Sequence, residues 1–262
     1  MSRSFVDKLS YPRDLMRWAV WQLGFCRQLR RHPPVFVFQM GKVSSRSVSE
    51  PLQVIYRGAV IHDHVFEGDR MQGETRELKK YLNGPNPPEK LYIISLVREP
   101  IVRNISTFFA NFERYTGAKC ESSSYDIPAL KQLFLQNFPH RQPLEWFDER
   151  MKRYFDIDVY SKPFPECGYA RYERGPCSLL VFRMEIDDEV KNREIGSFLG
   201  IPEFRVTRAN PTEGKVCGEL YSAFKKQVQF SPDFVNMFCE SRYFRHFYSA
   251  DFIEKTRARW TE

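Results

Sequence analysis

Residues 35–47 read Val-Phe-Val-Phe-Gln-Met-Gly-Lys-Val-Ser-Ser-Arg-Ser, a short apolar strand that runs directly into a polar turn. Gly41 frees the backbone, Lys42 adds a positive charge, and three serines follow at the start of a predicted helix. Backbone N–H groups in such a turn suit a phosphate. We therefore predict a phosphate-binding turn. Its residues are Gly41, Lys42, Val43, Ser44, Ser45, Arg46 and Ser47.

This turn differs from the common ATP- and GTP-binding loop. That loop has Ser or Thr directly after its lysine to hold magnesium, whereas Val43 follows Lys42 here. The pattern predicts phosphate chemistry without a metal. A Gly-Lys pair followed by serines also occurs in ordinary solvated turns, and that alternative stays open for the segment taken alone.

A second segment, Leu91 to Pro100, has the same design. Arg98 leaves an apolar strand, and Ser106 follows eight residues later on a helix that Pro100 begins. Helical periodicity places Ser106 opposite the apolar stripe of this helix, where it can face a ligand. Taken singly, Arg98 also fits a salt-bridge partner and Ser106 an ordinary helix serine.

The pair of segments resembles the P-loop sulfotransferases, whose donor is 3'-phosphoadenosine 5'-phosphosulfate. In that superfamily the first loop holds the 5'-phosphosulfate, and an Arg with a Ser eight residues on holds the 3'-phosphate. The resemblance implies these roles for residues 41–47 and for Arg98 with Ser106. It requires no metal.

The C-terminal half resembles bacterial sulfotransferase-like capsular polysaccharide synthesis proteins. The resemblance rests on Pro143–Glu149, Val181–Glu185 and Ser241–Tyr248. A stretch from Asn210 to Tyr221 is also similar, although Cys217 stands where an aromatic residue is expected. This stretch implies that Lys215 contacts a donor phosphate.

Between the two phosphate segments, residues 59–66 read Ala-Val-Ile-His-Asp-His-Val-Phe. His62 and His64 fall on the same side of an extended strand. A histidine, with a reference pKa of about 6.5, can accept a hydroxyl proton near neutrality. The resemblance places the catalytic base here, so His62 and His64 are both candidates. The alternatives are a polar strand end or a weak metal site that includes Asp63.

The reaction that the resemblance implies is transfer of a sulfuryl group to an acceptor hydroxyl, expected on a carbohydrate. One histidine would remove the hydroxyl proton, while Lys42 and the loop backbone would stabilise charge on the departing phosphate. Two other functions remain open: a P-loop ATP-dependent kinase, and a non-catalytic sulfotransferase-like or polyanion-binding protein.

Strands near residues 35–39, 58–62, 91–97 and 178–184 alternate with helical stretches. This order predicts an α/β fold with a mostly parallel central sheet covered on both faces, and the resemblance makes it a three-layer P-loop nucleotide-binding fold. Helices within residues 126–164 are expected on the acceptor side. We predict an N-terminal helical extension, residues 1–34, and a single domain, residues 35–262. Pro51 predicts a bent helix after the first loop.

The composition and the N-terminal segment indicate which kinds of binding partner to expect. The net charge of +7 suits an anionic donor, and we expect no nucleic acid because the basic residues form no recognisable nucleic-acid motif. Residues 11–31 predict an amphipathic helix packed on the domain, with contact to a membrane surface or a partner as the alternative. The stretch is interrupted by Arg17 and too short to cross a bilayer.

The six cysteines show no Cys-x-x-Cys pair. Without a secretory signal, they are expected to be reduced and mostly structural, in a cytoplasmic protein that could sit at the periphery of the membrane. Cys167 and Cys177 flank a predicted hairpin and could approach each other.

Overall fold

The computed structural model describes residues 12–120, 125–207 and 217–262, without the side chains of residues 12–15, 17 and 18. Five strands form one sheet. They are β1 (Val35–Phe38), β2 (Val60–Asp63), β3 (Leu91–Val97), β4 (Tyr169–Arg174) and β5 (Cys177–Arg183). All residues of β1 are buried, and β3 and β5 are buried along nearly their whole length. Such continuous apolar runs require cover on both faces of the sheet.

The strand order is β2-β1-β3-β5-β4. Every pairing is parallel except that of β4 with β5, which forms an antiparallel hairpin at one edge. The predicted α/β fold with a mostly parallel sheet is confirmed. After β1 the chain moves to one side to form β2, and it then crosses to the other side to form β3. The boundary between β1 and β3 is thus a switch point, where ligands of open α/β sheets bind beyond the carboxyl ends of the strands.

Helices connect and cover the strands. A π-helical stretch, Phe147–Lys152, follows α7, and a 3-10 turn covers Val159–Ser161. The α-helices are α1 (Pro12–Arg31), α2 (Arg46–Ile55), α3 (Gly73–Leu82), α4 (Pro100–Ala110), α5 (Phe112–Thr116), α6 (Ile127–Asn137), α7 (Gln142–Trp146), α8 (Arg153–Phe155), α9 (Asp188–Leu199), α10 (Gly218–Gln227), α11 (Pro232–Cys239), α12 (Arg242–Phe247) and α13 (Ala250–Trp260).

Helix α1 packs on α3, as the sequence predicts for an amphipathic helix. Phe25 and Leu29 are buried, and Gln22 Nε2 donates a 3.1 Å hydrogen bond to Glu77 of α3. Among the described residues, no helix combines the length and the apolar character needed to cross a bilayer.

Helix α2 continues through Pro51. Because proline has no N–H, it cannot donate to the carbonyl of Ser47 four residues earlier. Thr207 supplies the missing partner, since its N–H lies 3.1 Å from Ser47 O. The proline thus leaves a carbonyl in the first turn of α2 that fixes a distant segment beside the loop after β1.

The oxidation state of two cysteines differs from the prediction. Cys120 and Cys217 form a disulfide across 97 residues of sequence, so the prediction that all six are reduced is wrong. Cys167 and Cys177 are free, as are Cys26 and Cys239. Disulfides are typical of oxidising compartments, so this bond does not favour the predicted cytoplasmic location.

Candidate functional site

The loops that follow β1 and β3 meet at the switch point of the sheet. Arg98 Nη1 donates a 2.8 Å hydrogen bond to the carbonyl oxygen of Lys42, which joins the two predicted phosphate segments directly. Their strands are neighbours, with Val35–Val37 paired to Tyr92–Ile94. Two segments that are 56 residues apart in sequence therefore form one surface.

The backbone of the first loop has an unusual conformation. Lys42 (φ 70°) and Ser44 (φ 61°) are two of the three described non-glycine residues with positive φ. Ser45 follows with φ −58° and ψ −29°. Consecutive residues of opposite hand form a concave nest of N–H groups that binds anions. Within the described residues, the N–H groups of Val43, Ser44, Ser45 and Arg46 donate to no acceptor.

A buried arginine supports this loop from behind. Arg103 on α4 is 2% exposed, and its Nε donates a 3.1 Å hydrogen bond to Gly41 O. Its other nitrogens donate to Asn104 Oδ1 and to Gln142 Oε1, each at 3.0 Å. Burial lowers the pKa of Arg103 to about 10, which still leaves it charged at neutral pH. It makes no ion pair within the described residues.

The two arginines also set the direction of the loop's peptide groups. Gly41 O accepts from Arg103, and Lys42 O accepts from Arg98. In a trans peptide the N–H points opposite to the C=O. The next two N–H groups, of Lys42 and Val43, therefore point away from the guanidinium groups that bind these carbonyls.

Two of the three serine hydroxyls of the loop have a hydrogen-bond partner within the protein. Ser47 Oγ donates to Ser44 O at 2.7 Å, and Ser45 Oγ lies 2.8 Å from His62 Nε2. Val43 is fully buried, so its side chain cannot contact a ligand. Arg46 is exposed and lies 3.9 Å from Glu50. Backbone N–H groups, more than hydroxyls, are thus available to bind an anion.

His62 and His64 lie together beside the loop, as the sequence predicts, with ring centroids 5.1 Å apart. His64 Nδ1 is 2.9 Å from Gln39 O. Because a carbonyl only accepts, this contact assigns the proton of neutral His64 to Nδ1 and leaves Nε2 as the acceptor. A Cβ placed on Gly41 would lie 4.0 Å from this Nε2. The acceptor nitrogen therefore faces the glycine of the loop.

Both histidines are predominantly neutral at pH 7. Burial, followed by the nearby His64, lowers the pKa of His62 to about 4. Burial of the imidazole ring also lowers the pKa of His64, although other parts of this residue are exposed to solvent. Neutral imidazole is the form that accepts a proton. His64 has its Nε2 without a described partner, whereas the Nε2 of His62 is paired with Ser45.

Asp63 has a structural role. It is 4% exposed, and its carboxylate accepts hydrogen bonds from the backbone of His64, Val65 and Gln72 and from Thr75 Oγ1. These bonds fix the turn after β2. No group of three or more metal-ligating side chains occurs within the described parts of the chain.

Tyr243 on α12 holds the backbone of Arg98. Its hydroxyl donates to Arg98 O at 2.9 Å and accepts from Arg98 N at 3.2 Å. The adjacent Glu99 accepts from the N–H groups of Ile101 and Val102 and so caps α4. Burial raises the pKa of Glu99 to about 7, and nearby Glu185 adds to this effect. Arg98 thus leaves β3 from a backbone that is fixed on both sides.

We expect Tyr243→Phe to weaken binding of an anion at Arg98 while leaving the fold intact. The change removes one buried hydroxyl and two hydrogen bonds, at a cost of roughly 1–3 kcal/mol in unfolding free energy. Titration with adenosine 3',5'-bisphosphate and thermal unfolding measure the two effects. Tyr154→Phe is the control, because the Tyr154 hydroxyl pairs with Arg150 and contacts neither loop in the described structure. Unchanged affinity in Tyr243→Phe would contradict the positioning role.

The two remaining residues of the predicted donor site are Ser106 and Lys215. Ser106 is half-buried on α4, and its hydroxyl makes no hydrogen bond to a described residue. Lys215 lies outside the described residues.

Three residues that shape the site have no role that the sequence predicts. Helical periodicity places Arg103 on the polar face of α4 with Ser106, but it does not predict the contact of Arg103 with the loop. Tyr243 lies 145 residues from Arg98. Gln39 is fully buried at the end of β1, and its side-chain amide makes no hydrogen bond within the described structure. The signal available for Arg103 is that it is the one charged residue of α4.

Residues 123–249 match a known family model. The family is NKWYS, with the description "Putative capsular polysaccharide synthesis protein". The match spans just under half of the chain and lies C-terminal to both phosphate segments. It includes Gln142, Glu185 and Tyr243, which contact Arg103, Glu99 and Arg98. No curated protein and no solved structure matches the chain.

Proposed function

We propose that this protein transfers a sulfuryl group from 3'-phosphoadenosine 5'-phosphosulfate to an acceptor hydroxyl during polysaccharide biosynthesis. The observation that carries the proposal is the contact between Arg98 and the Lys42 carbonyl, which unites a nest of N–H groups and a strand-end arginine in one site. A nucleotide with phosphates at two positions requires two such elements side by side. The family match supports the polysaccharide part of the proposal.

In this proposal each element of the site has one task. The N–H groups of residues 43–46 bind the 5'-phosphosulfate, and Lys42 neutralises its charge. Arg98 and Ser106 bind the 3'-phosphate. The buried charge of Arg103 adds a fixed positive potential behind the loop, where low dielectric strengthens it. No residue of the proposed set requires a metal.

The chemical step is an in-line displacement at sulfur. The acceptor oxygen forms a bond to sulfur as the bond from sulfur to the 5'-phosphate oxygen breaks. The acceptor hydroxyl gives its proton to His64 Nε2, the nitrogen that Gln39 O leaves unprotonated. Negative charge on the departing phosphate oxygen is stabilised by the loop N–H groups and Lys42, which are already oriented before the reaction.

A calorimetric titration tests the donor site. We expect adenosine 3',5'-bisphosphate to bind more tightly than ADP, because only the bisphosphate carries a 3'-phosphate for Arg98. Arg98→Ala should weaken bisphosphate binding by about tenfold or more and ADP binding less, because for ADP only the anchor of the Lys42 carbonyl is lost. Arg57→Ala, at an exposed position away from both loops, is the matched control.

Three outcomes would overturn the donor assignment: equal affinity for the two nucleotides, no loss in Arg98→Ala, or magnesium-dependent turnover of ATP. Thermal unfolding of each variant separates loss of the site from loss of the fold. Labelled donor incubated with bacterial polysaccharides then tests transfer to carbohydrate, and label that appears only on a non-carbohydrate acceptor would exclude the polysaccharide role.

A further inference from the structure

Helix α1 exposes an apolar stripe. Met16, Val20 and Leu23 are 68%, 66% and 68% exposed. Their spacing of four and three residues puts them on one face of the helix. Within the described residues, the other exposed large hydrophobic side chains are Trp21, also on α1, and Val54. The face opposite the stripe carries Phe25 and Leu29, which are buried against the rest of the protein.

Three arginines continue the same face toward the end of α1. Arg27, Arg30 and Arg31 are exposed. At 3.6 residues per turn, all three lie within about 60° of the direction of Met16. None of them makes an ion pair with a described residue. The outward face is therefore apolar in its first part and positively charged in its last two turns.

We propose that this face of α1 docks on the surface of an anionic lipid bilayer. A bilayer presents hydrocarbon and phosphate at adjacent depths, which matches an apolar stripe followed by arginines. From Met16 to Arg31 the face is about 22 Å long, enough to lie along a surface. The charge complementarity of the arginines with lipid phosphate is what selects this occupant.

Other occupants fit the charge pattern less well. Residues 1–11 contain Arg3 and Lys8 against the single acid Asp7, so this segment would bring more positive charge to the arginines. A second copy of α1 would likewise place arginines near arginines if it packed in parallel. A lipid phosphate, in contrast, neutralises them.

The position of α1 leaves the candidate site accessible. The helix ends at Arg31, and β1 begins at Val35, so the basic end of α1 lies near the amino edge of the sheet. The loop after β1 and Arg98 lie at the carboxyl edge. A bilayer in contact with the arginines therefore approaches the molecule from the other end of the strands.

Sedimentation of the full-length protein with lipid vesicles tests the docking. Wild type should bind vesicles of phosphatidylcholine mixed with phosphatidylglycerol, bind phosphatidylcholine alone weakly, and be released by salt. Val20→Asp should lower the partition coefficient about tenfold or more, because a carboxylate enters the apolar stripe. Arg27→Gln/Arg30→Gln/Arg31→Gln should lower it by about a hundredfold, since each of the three arginines near an anionic surface contributes about fivefold.

Two matched variants control for general effects of charge and surface change. Val54→Asp introduces the same carboxylate at a residue that is 83% exposed on α2. Arg57→Gln/Arg70→Gln/Lys226→Gln removes three exposed cations elsewhere. Both should bind vesicles like wild type. Absence of wild-type binding, equal losses in test and control variants, or a dimer dissolved by Val20→Asp without vesicle binding would each overturn the proposal.

Discussion

His64→Ala is expected to lower kcat for the proposed sulfuryl transfer by about 10²–10⁴-fold, the usual contribution of a positioned general base. The bond from His64 Nδ1 to Gln39 O fixes Nε2 as the acceptor. KM for the donor should change little, because His64 is not among the residues proposed to bind its phosphates. His62→Ala should lower kcat less, since the Nε2 of His62 is already paired with Ser45.

The pH profile gives an independent readout of this assignment. A base acts only when it is unprotonated, so kcat/KM should fall as pH drops through the pKa of the histidine. Because burial lowers the pKa of His64, the acid limb should lie below the reference value of about 6.5. His32→Ala, at a half-buried histidine beyond the opposite edge of the sheet, should keep the wild-type profile.

Two results would contradict the role of His64. One is a His64→Ala enzyme with wild-type kcat, and the other is an acid limb that stays in place when His64 is removed. A larger loss in His62→Ala than in His64→Ala would move the base to His62.

Arg103→Met is expected to have the largest effect on stability. Arg103 is 2% exposed, and its guanidinium donates to Gly41 O, Asn104 Oδ1 and Gln142 Oε1. Its removal leaves these acceptors unsatisfied, and we expect a loss of roughly 3–5 kcal/mol in unfolding free energy. Binding of adenosine 3',5'-bisphosphate should also fall in the fraction that remains folded, because Gly41 O loses its anchor.

Chemical denaturation and titration measure these two effects separately. Arg103→Lys should recover part of the stability, since a lysine keeps the charge but cannot reproduce the three-way hydrogen bonding of the guanidinium. Arg141→Met provides the control, because Arg141 is 69% exposed and pairs only with Glu145 in the described structure. A stability of Arg103→Met equal to that of Arg141→Met would contradict the supporting role of Arg103.

The sheet could be predicted from sequence because its signals are local. The apolar run of β1 followed by Gly41 and the run of β3 followed by Arg98 mark both strands and their carboxyl ends. Parallel strands bring such ends to one edge, so the meeting of Lys42 and Arg98 followed from the fold class. The same alternation placed His62 and His64 together.

The supporting contacts could not be predicted, because they join residues that are distant in sequence. Nothing near Arg98 identifies Tyr243 as its partner, and nothing near Cys120 identifies Cys217. Helical periodicity placed Arg103 on the polar face of α4, but the depth at which that face is buried depends on the loop and on α7. Tertiary packing decides whether a polar helix face is buried, and such packing produces no periodic pattern in the sequence.

The strand order has a practical consequence for dissecting this chain. The family match begins at residue 123, yet β3 lies between β1 and β5 and pairs with both. In a fragment that ends before residue 123, the edge of β3 that pairs with β5 would be unpaired. In a fragment that begins at residue 123, β5 would lack its parallel neighbour β3. Fragments divided at the family boundary would therefore each expose an unpaired strand edge, and the two edges are complementary. Split versions of the protein should be co-expressed, so that each half can cover the other.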